Sequence, residues 1–244
     1  LIRNICRQPI VHKVLSHVSS SDIAEFRDKR LEAVSASSVN RELSIISDCI
    51  NKAITEWKCF IKENPVKNNL RLKENPSRTR RLEGNEYNLL MQSCKKNRAF
   101  WCPIIDFAIH SCMRRGELLA LKWDWVHFDK KFISLPAEIT KTNRTRNVPL
   151  QPHAIEILQK MPRSLSGKIF PIGIKNFERS WNAICKRSNI VGLRFHDLKR
   201  EAISRLFEKG LSISEVRTFA GNSLTSLAIY TEHDSTTLAE KLAR

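Results

Sequence analysis

The sequence predicts a mainly α protein in two parts: an N-terminal helical bundle, then a mixed α domain that carries a small antiparallel sheet. Three observations predict it. Apolar residues recur at intervals of three and four along most of the 244 residues, the spacing of helices that bury one face. Strand-like alternation is confined to a stretch between Val126 and Val148. Between the two parts, Glu63-Asn64-Pro65 and the basic run from Lys67 to Arg81 carry almost no apolar periodicity. A chain of this length is comfortable as two domains, and the expected boundaries are 1–66, a linker at 67–81, and 82–244.

In the first part, Ser19-Ser20-Ser21-Asp22 can cap a helix running through Phe26 and Leu31. Ser37-Ser38 opens a longer one in which Leu43, Ile46, Ile50, Ala53, Ile54 and Trp57 form one stripe. Pro65 ends it, since proline removes a backbone donor and disfavours helix in the residue before it. Lys67, Arg71, Lys73, Arg78, Arg80 and Arg81 then form either a solvated loop or a strap across a phosphate backbone.

The second part opens at Leu82 with a helix through Tyr87, Leu90 and Met91, followed by an apolar helix from Ala99 to His110. Helix continues from Leu118 to Trp123. Val126–Asp129 and Lys131–Leu135 alternate like strands, and Ile139 to Val148 resembles a hairpin with Lys141 in its polar turn. Helices are expected over His153–Met161, Ile174–Ser188, Leu198–Lys209 (stopped by Gly210) and Ser212–Phe219. Ser235 to Arg244 would form a short helical tail, packed on its own chain or on a neighbour.

Lys plus Arg number 42 against 25 Asp plus Glu, a net charge of +17, which points to a polyanionic partner, nucleic acid first. No apolar run approaches the roughly 20 residues that span a bilayer, and the N-terminus is too broken by charge to be a secretory signal. Seven cysteines, an odd number without a C-x-x-C pair, indicate neither a disulfide framework nor a zinc site. Reduced thiols and a cytoplasmic protein are the expectation. Because residue 1 is not Met, the chain is expected to be a fragment.

Chemistry centres on Tyr230, one of only two tyrosines, placed after a Gly221-Asn222-Ser223 turn. Alone it reads as an ordinary packing residue; as a nucleophile it needs partners that orient it and remove its proton. Upstream stand Met113-Arg114-Arg115-Gly116-Glu117-Leu118, then Thr140-Lys141-Thr142 with Arg146-Asn147-Val148-Pro149-Leu150, then Phe195-His196-Asp197-Leu198-Lys199-Arg200. In this order, together with the segment from Phe219 to His233, they resemble the four motif regions of the tyrosine recombinase (phage integrase) family. The first part resembles that family's core-binding domain through Asn40-Arg41-Glu42-Leu43 and the helix that follows.

The resemblance implies cleavage of duplex DNA without metal or cofactor. Breaking a phosphodiester this way requires in-line attack, stabilised non-bridging oxygens and a proton for the leaving 5′ oxygen. A 3′-phosphotyrosine keeps the bond energy, so neither ATP nor Mg²⁺ is called for. Arg114 would clamp the phosphate, with Glu117 as its buttress; Lys141 would be the general acid; His196 would open the second motif; Tyr230 would attack.

Two positions depart from the pattern. Lys199 stands where the family has its second arginine, and Asn222 where it has His or Trp. A lysine keeps the charge but loses the planar fork, an asparagine carries no charge, and Arg200 should point about 100 degrees away from Lys199 on a helix. The chain is therefore a functional variant, a decayed recombinase or an altered sequence. The resemblance implies a site-specific recombinase or integrase acting as a homo-tetramer on paired double-stranded DNA sites, compatible with a DNA-bending accessory protein. The alternatives are a catalytically impaired DNA-binding protein on the same fold and a type IB topoisomerase, the N-terminal helical part counting against the latter.

Overall fold

The computed structural model describes residues 1–76 and 78–230, and the chain separates into two compact units, Leu1–Arg78 and Thr79–Arg244. The expected tail at 235–244 lies outside the described residues. The fold is mainly helical with one small antiparallel sheet, and among the described residues no helix is long and apolar enough to cross a membrane.

The first unit holds α1 (Ile2–Ile5), α2 (Ser20–Leu31) and α3 (Ala36–Thr55). Ser19 and Asp22 form a reciprocal capping box at the start of α2, and the Ser35 side chain caps α3 through the Ser38 amide. Ile5, Ile23, Phe26, Val39 and Leu43 make the core. The apolar stripe of α3 is shorter than its sequence suggests. The helix ends at Thr55, Lys58 takes a left-handed backbone with φ 55°, and Trp57 is 60% exposed. Two polar groups are buried instead. Glu42, 1% exposed, accepts a two-pronged bond from Arg30 at 2.8 and 3.0 Å.

Asn40 fixes the segment after Pro65. Its amide nitrogen donates to the Leu72 carbonyl at 2.8 Å and to Glu74 at 2.9 Å, while its oxygen accepts from the Leu72 amide at 2.9 Å. Leu70 and Leu72 pack on the core, and Arg71 donates to Ser44 Oγ. Several cations of the basic run are thus engaged inside the protein. Lys67 pairs with Glu63, Arg80 with Glu86, and Arg81 with Glu201 and Glu208.

The second unit runs through α4 (Glu86–Asn97), α5 (Trp101–Ser111), α6 (Arg115–Ala120), β1 (Val126–His127), β2 (Phe132–Leu135), β3 (Arg146–Pro149), α7 (Pro152–Lys160), α8 (Ile174–Arg187), α9 (Phe195–Glu208), α10 (Ile213–Ala220) and α11 (Leu224–Ala228). The core gathers Phe107 against Phe170, and Trp101, Phe177, Trp181 and Phe195 against one another. The strands pair in the order β1-β2-β3, with Ile133 opposite Val148 and Leu135 opposite Arg146. Ile139 to Val148 is therefore not a hairpin of its own. Pro136 and a 3-10 turn at Ala137–Ile139 interrupt the first arm, and the Thr140 hydroxyl ties the loop by donating to a backbone carbonyl and accepting from the Arg144 amide. β3 pairs with β2, and Lys141 lies in the connection.

Removing the Asn40 side chain orphans both backbone groups of Leu72. Asn40→Ala is expected to destabilise the first unit by about 2 kcal/mol, measured by urea unfolding of the whole chain. A change below about 0.5 kcal/mol would show that the strap docks by apolar contacts alone.

Candidate active site

Helix α5 does not run on into α6. Cys112 adopts φ 54° and Arg114 an extended backbone, so Arg114 sits at a helix break as the N-cap residue of α6. Glu117, 1% exposed one turn later, accepts from the Arg114 amide at 2.9 Å and from Arg114 Nη1 at 2.9 Å. Its Oε2 also accepts from Arg146 Nη2 at 2.8 Å. One buried carboxylate thus holds two arginines that lie 32 residues apart in sequence, Arg114 and Arg146.

These arginines share a second partner with Lys199, which lies in the first turns of α9. The C-terminus of α10 presents backbone carbonyls that have no helical donor and carry the negative end of the helix dipole. Arg146 donates to the Phe219 carbonyl at 2.8 Å, Lys199 Nζ to Ala220 at 2.6 Å, and Arg114 Nη2 to Gly221 at 2.6 Å. Gly221 takes φ 60°, and a Cβ there would lie 2.5 Å from Arg146 Nη1. Only glycine allows both the left-handed cap and the close guanidinium.

Crowding has an electrostatic consequence. Lys199 is 3% exposed, and burial followed by the charge of Arg114 brings its pKa from 10.5 down to about 7, against the opposing pull of Glu117. His196 stands at the start of α9, and desolvation, then Lys199 and Arg200, lower its pKa. Arg200 turns away from Lys199, as the helical angle requires. Its Nε is 3.9 Å from Asp197, and its charge and hydrogen bond act on the Tyr230 phenol. Burial raises the Tyr230 pKa and Arg200 opposes the rise. The ring stacks on Phe207 with centroids 6.4 Å apart, two residues beyond the end of α11.

The structure gathers Arg114, Lys199 and the Gly221-Asn222 turn at one place; His196 lies one turn before Lys199 on α9, and Tyr230 follows α11. Lys141 stands outside this hydrogen-bonded cluster, exposed on the β2–β3 connection. Arg146 is a residue whose position the sequence reading missed. Strand alternation puts it on the same side of β3 as buried Val148, and that was the available signal. Among the described residues, Arg146 Nε, Arg200 Nε and Nη1, and Asn222 Oδ1 are buried without a hydrogen-bond partner. Three cationic donors awaiting an acceptor suit an anion. Arg144, Arg146, Arg217, Thr218, Asn222 and Ser223 line an open groove beside them.

The profile of the phage integrase family matches residues 80–237. The chain is 33% identical over 248 residues to the shufflon-specific DNA recombinase of Escherichia coli, covering 98% of this chain and 64% of that protein's length. A putative integrase/recombinase of Haemophilus influenzae is 29% identical over 251 residues, 99% of this chain and 81% of that one. Among solved structures, the Tn1549 transposon integrase in complex with transposon right end DNA aligns with a TM-score of 0.82 at 14% identity, covering 100% of this chain and 91% of that one. A lambda integrase dimer bound to a core site aligns at 0.76 and 22%, covering 96% and 86%.

The depressed pKa of Lys199 makes stability depend on pH. The unfolded chain holds this proton up to about pH 10.5 and the folded chain releases it near 7, so between these values the unfolded state binds more protons and stability rises with pH. Lys199→Met removes that slope. From pH 6.5 to 9 the unfolding free energy of the parent should gain about 2 kcal/mol on that of the variant, measured by urea denaturation. Parallel profiles would mean that Lys199 is charged throughout.

Proposed function

The chain belongs to the phage integrase family, and on that premise we propose that it is a site-specific DNA recombinase that cleaves and rejoins duplex DNA through a 3′-phosphotyrosine at Tyr230. The observation that carries the reading is the convergence of Arg114, Arg146 and Lys199 on the α10 terminus, with the nucleophile candidate ten residues beyond the last residue of that helix. A scissile phosphate seated there meets fixed cations whose own positions are already set, the condition under which electrostatic stabilisation of a transition state is strongest.

In this reading the Tyr230 phenol passes its proton to solvent water as its oxygen attacks phosphorus, with Arg200 favouring the phenolate. Arg114 binds non-bridging oxygens by its fork, Lys199 adds a point charge, and His196 donates a hydrogen bond. The P–O5′ bond breaks as the Tyr230–phosphorus bond forms, and Lys141, on its exposed connection, delivers a proton to the departing 5′ oxygen. Attack by the 5′-hydroxyl of a second strand reverses these steps and completes exchange. Residues 1–66 would be the core-binding part that covers one face of the duplex, with 67–81 as linker, and four chains would assemble on two sites. A DNA-bending accessory protein is compatible with this assembly, and the unpaired cysteines fit a cytoplasmic location.

Lys199 and Asn222 set the rate. Lysine replaces a bidentate clamp by a compact ammonium that already gives one of its hydrogens to the Ala220 carbonyl, and Asn222 offers no charge. Cleavage slow enough to leave only DNA binding is the second reading that this observation supports.

Incubating the chain with nicked duplexes that include its host element's ends should give a covalent adduct on a denaturing gel, absent with Tyr230→Phe. The pair Lys199→Arg and Asn222→His should raise the adduct rate at least about tenfold. DNA retention without any adduct, in the parent and the pair alike, would leave the binding protein as the correct reading. An adduct that never transfers to a second duplex would make the activity that of a topoisomerase.

A further inference from the structure

We propose that the second unit carries a binding site for a divalent transition-metal ion, zinc in class, formed by Asp106, His110 and His153 and separate from the phosphate site. Asp106 and His110 lie one turn apart on α5, and His153 lies in the first turn of α7, which packs on α5. One ligand atom from each residue lies within 4.8 Å of the others. His153 Nε2 is 2.9 Å from Asp106 Oδ2. In a tetrahedral zinc site with bonds near 2 Å, ligand atoms stand about 3.3 Å apart, so small side-chain rotations bring this set to coordination distance.

The groups behind the three residues match what metal ligands require. A bound imidazole is normally oriented by a hydrogen bond from its other ring nitrogen, and a bound carboxylate by a further donor. His153 Nδ1 lies 3.4 Å from Glu156 Oε2, so an outer carboxylate faces the nitrogen that points away from Asp106. The Tyr87 hydroxyl donates to Asp106 Oδ1 at 3.0 Å. His110 Nδ1 is 2.8 Å from the Asp106 backbone carbonyl, and the two imidazoles meet edge-on with centroids 4.6 Å apart.

One carboxylate and two imidazoles are a donor set suited to zinc and its neighbours rather than to magnesium or calcium, which prefer oxygen ligands alone. The Asp106 and His110 side chains are largely buried, at 14% and 20% exposure, while His153 at 48% leaves the ion an open face where a water completes the coordination. The ion would clamp α5 to α7 immediately before the α5–α6 break that holds Arg114, and its role is structural.

The test uses the full chain freed of metal, titrated with Co²⁺ and then Zn²⁺. Expected are one ion per chain, a visible cobalt spectrum without thiolate charge transfer, and a rise in Tm of about 5 °C at saturation. His153→Ala should abolish both signals. Glu156→Gln, exposed and outside the inner set, should weaken binding about tenfold while the fold is kept. Absence of saturable binding below about 1 mM, a thiolate spectrum, or affinity unchanged in both variants would overturn the proposal.

Discussion

The second unit depends on how the C-terminus of α10 is held. Three carbonyls that the helix leaves unsatisfied, those of Phe219, Ala220 and Gly221, accept from Arg146, Lys199 and Arg114, cations carried by a strand and two other helices. Like charges brought this close repel, and the arrangement stands because Glu117 is buried between the two arginines while Lys199 sheds its proton near pH 7. The pull of the helix dipole on the cations is modest, up to about 2 kcal/mol in buried geometry. The donors are therefore positioned by hydrogen bonds to backbone and to one carboxylate before any ligand arrives.

That arrangement couples the site to the rest of the fold. Cys112 in the left-handed region ends α5 so that Arg114 can turn back to Glu117 and Gly221, and Gly221 caps α10 where a side chain would strike Arg146. Tyr230 follows the short α11, and its ring rests on Phe207 of α9. The same helix α9 carries His196, Lys199 and Arg200, so one rigid element sets the spacing between the proposed phosphate seat and the proposed nucleophile. Arg81, bound to Glu201 and Glu208, fixes the incoming chain to that helix as well.

Much of the site was legible because its signals are local. Met113-Arg114-x-Gly-Glu-Leu, Phe195-His196-Asp197-Leu198 and the turn before Tyr230 each lie within a few residues, and their order narrowed the chemistry. The mainly helical character and the small sheet followed from periodicity in the same way. Convergence was not local: that Arg114 and Gly221, 107 positions apart, share a hydrogen bond is a product of packing. One sequence motif contains both Arg146 and Lys141, which makes Arg146 look like a flank, although alternation in β3 turns it inward beside Val148. Trp57 fitted a helical stripe that stops short of it, since a left-handed Lys58 redirects the chain. The Asp106, His110 and His153 cluster was hidden because its last two members lie 43 positions apart, and only the packing of α5 on α7 unites them.

The central claim is that the cations on the α10 terminus are the seat of a scissile phosphate. The most direct measurement is the structure of the Tyr230→Phe chain bound to a duplex that carries its cleavage site. The account predicts one phosphodiester with non-bridging oxygens about 2.7–3.2 Å from donors of Arg114, Lys199 and His196, and the ring of residue 230 in line with the 5′ oxygen. A duplex whose phosphates pass the groove without reaching Arg114 and Lys199 would contradict it.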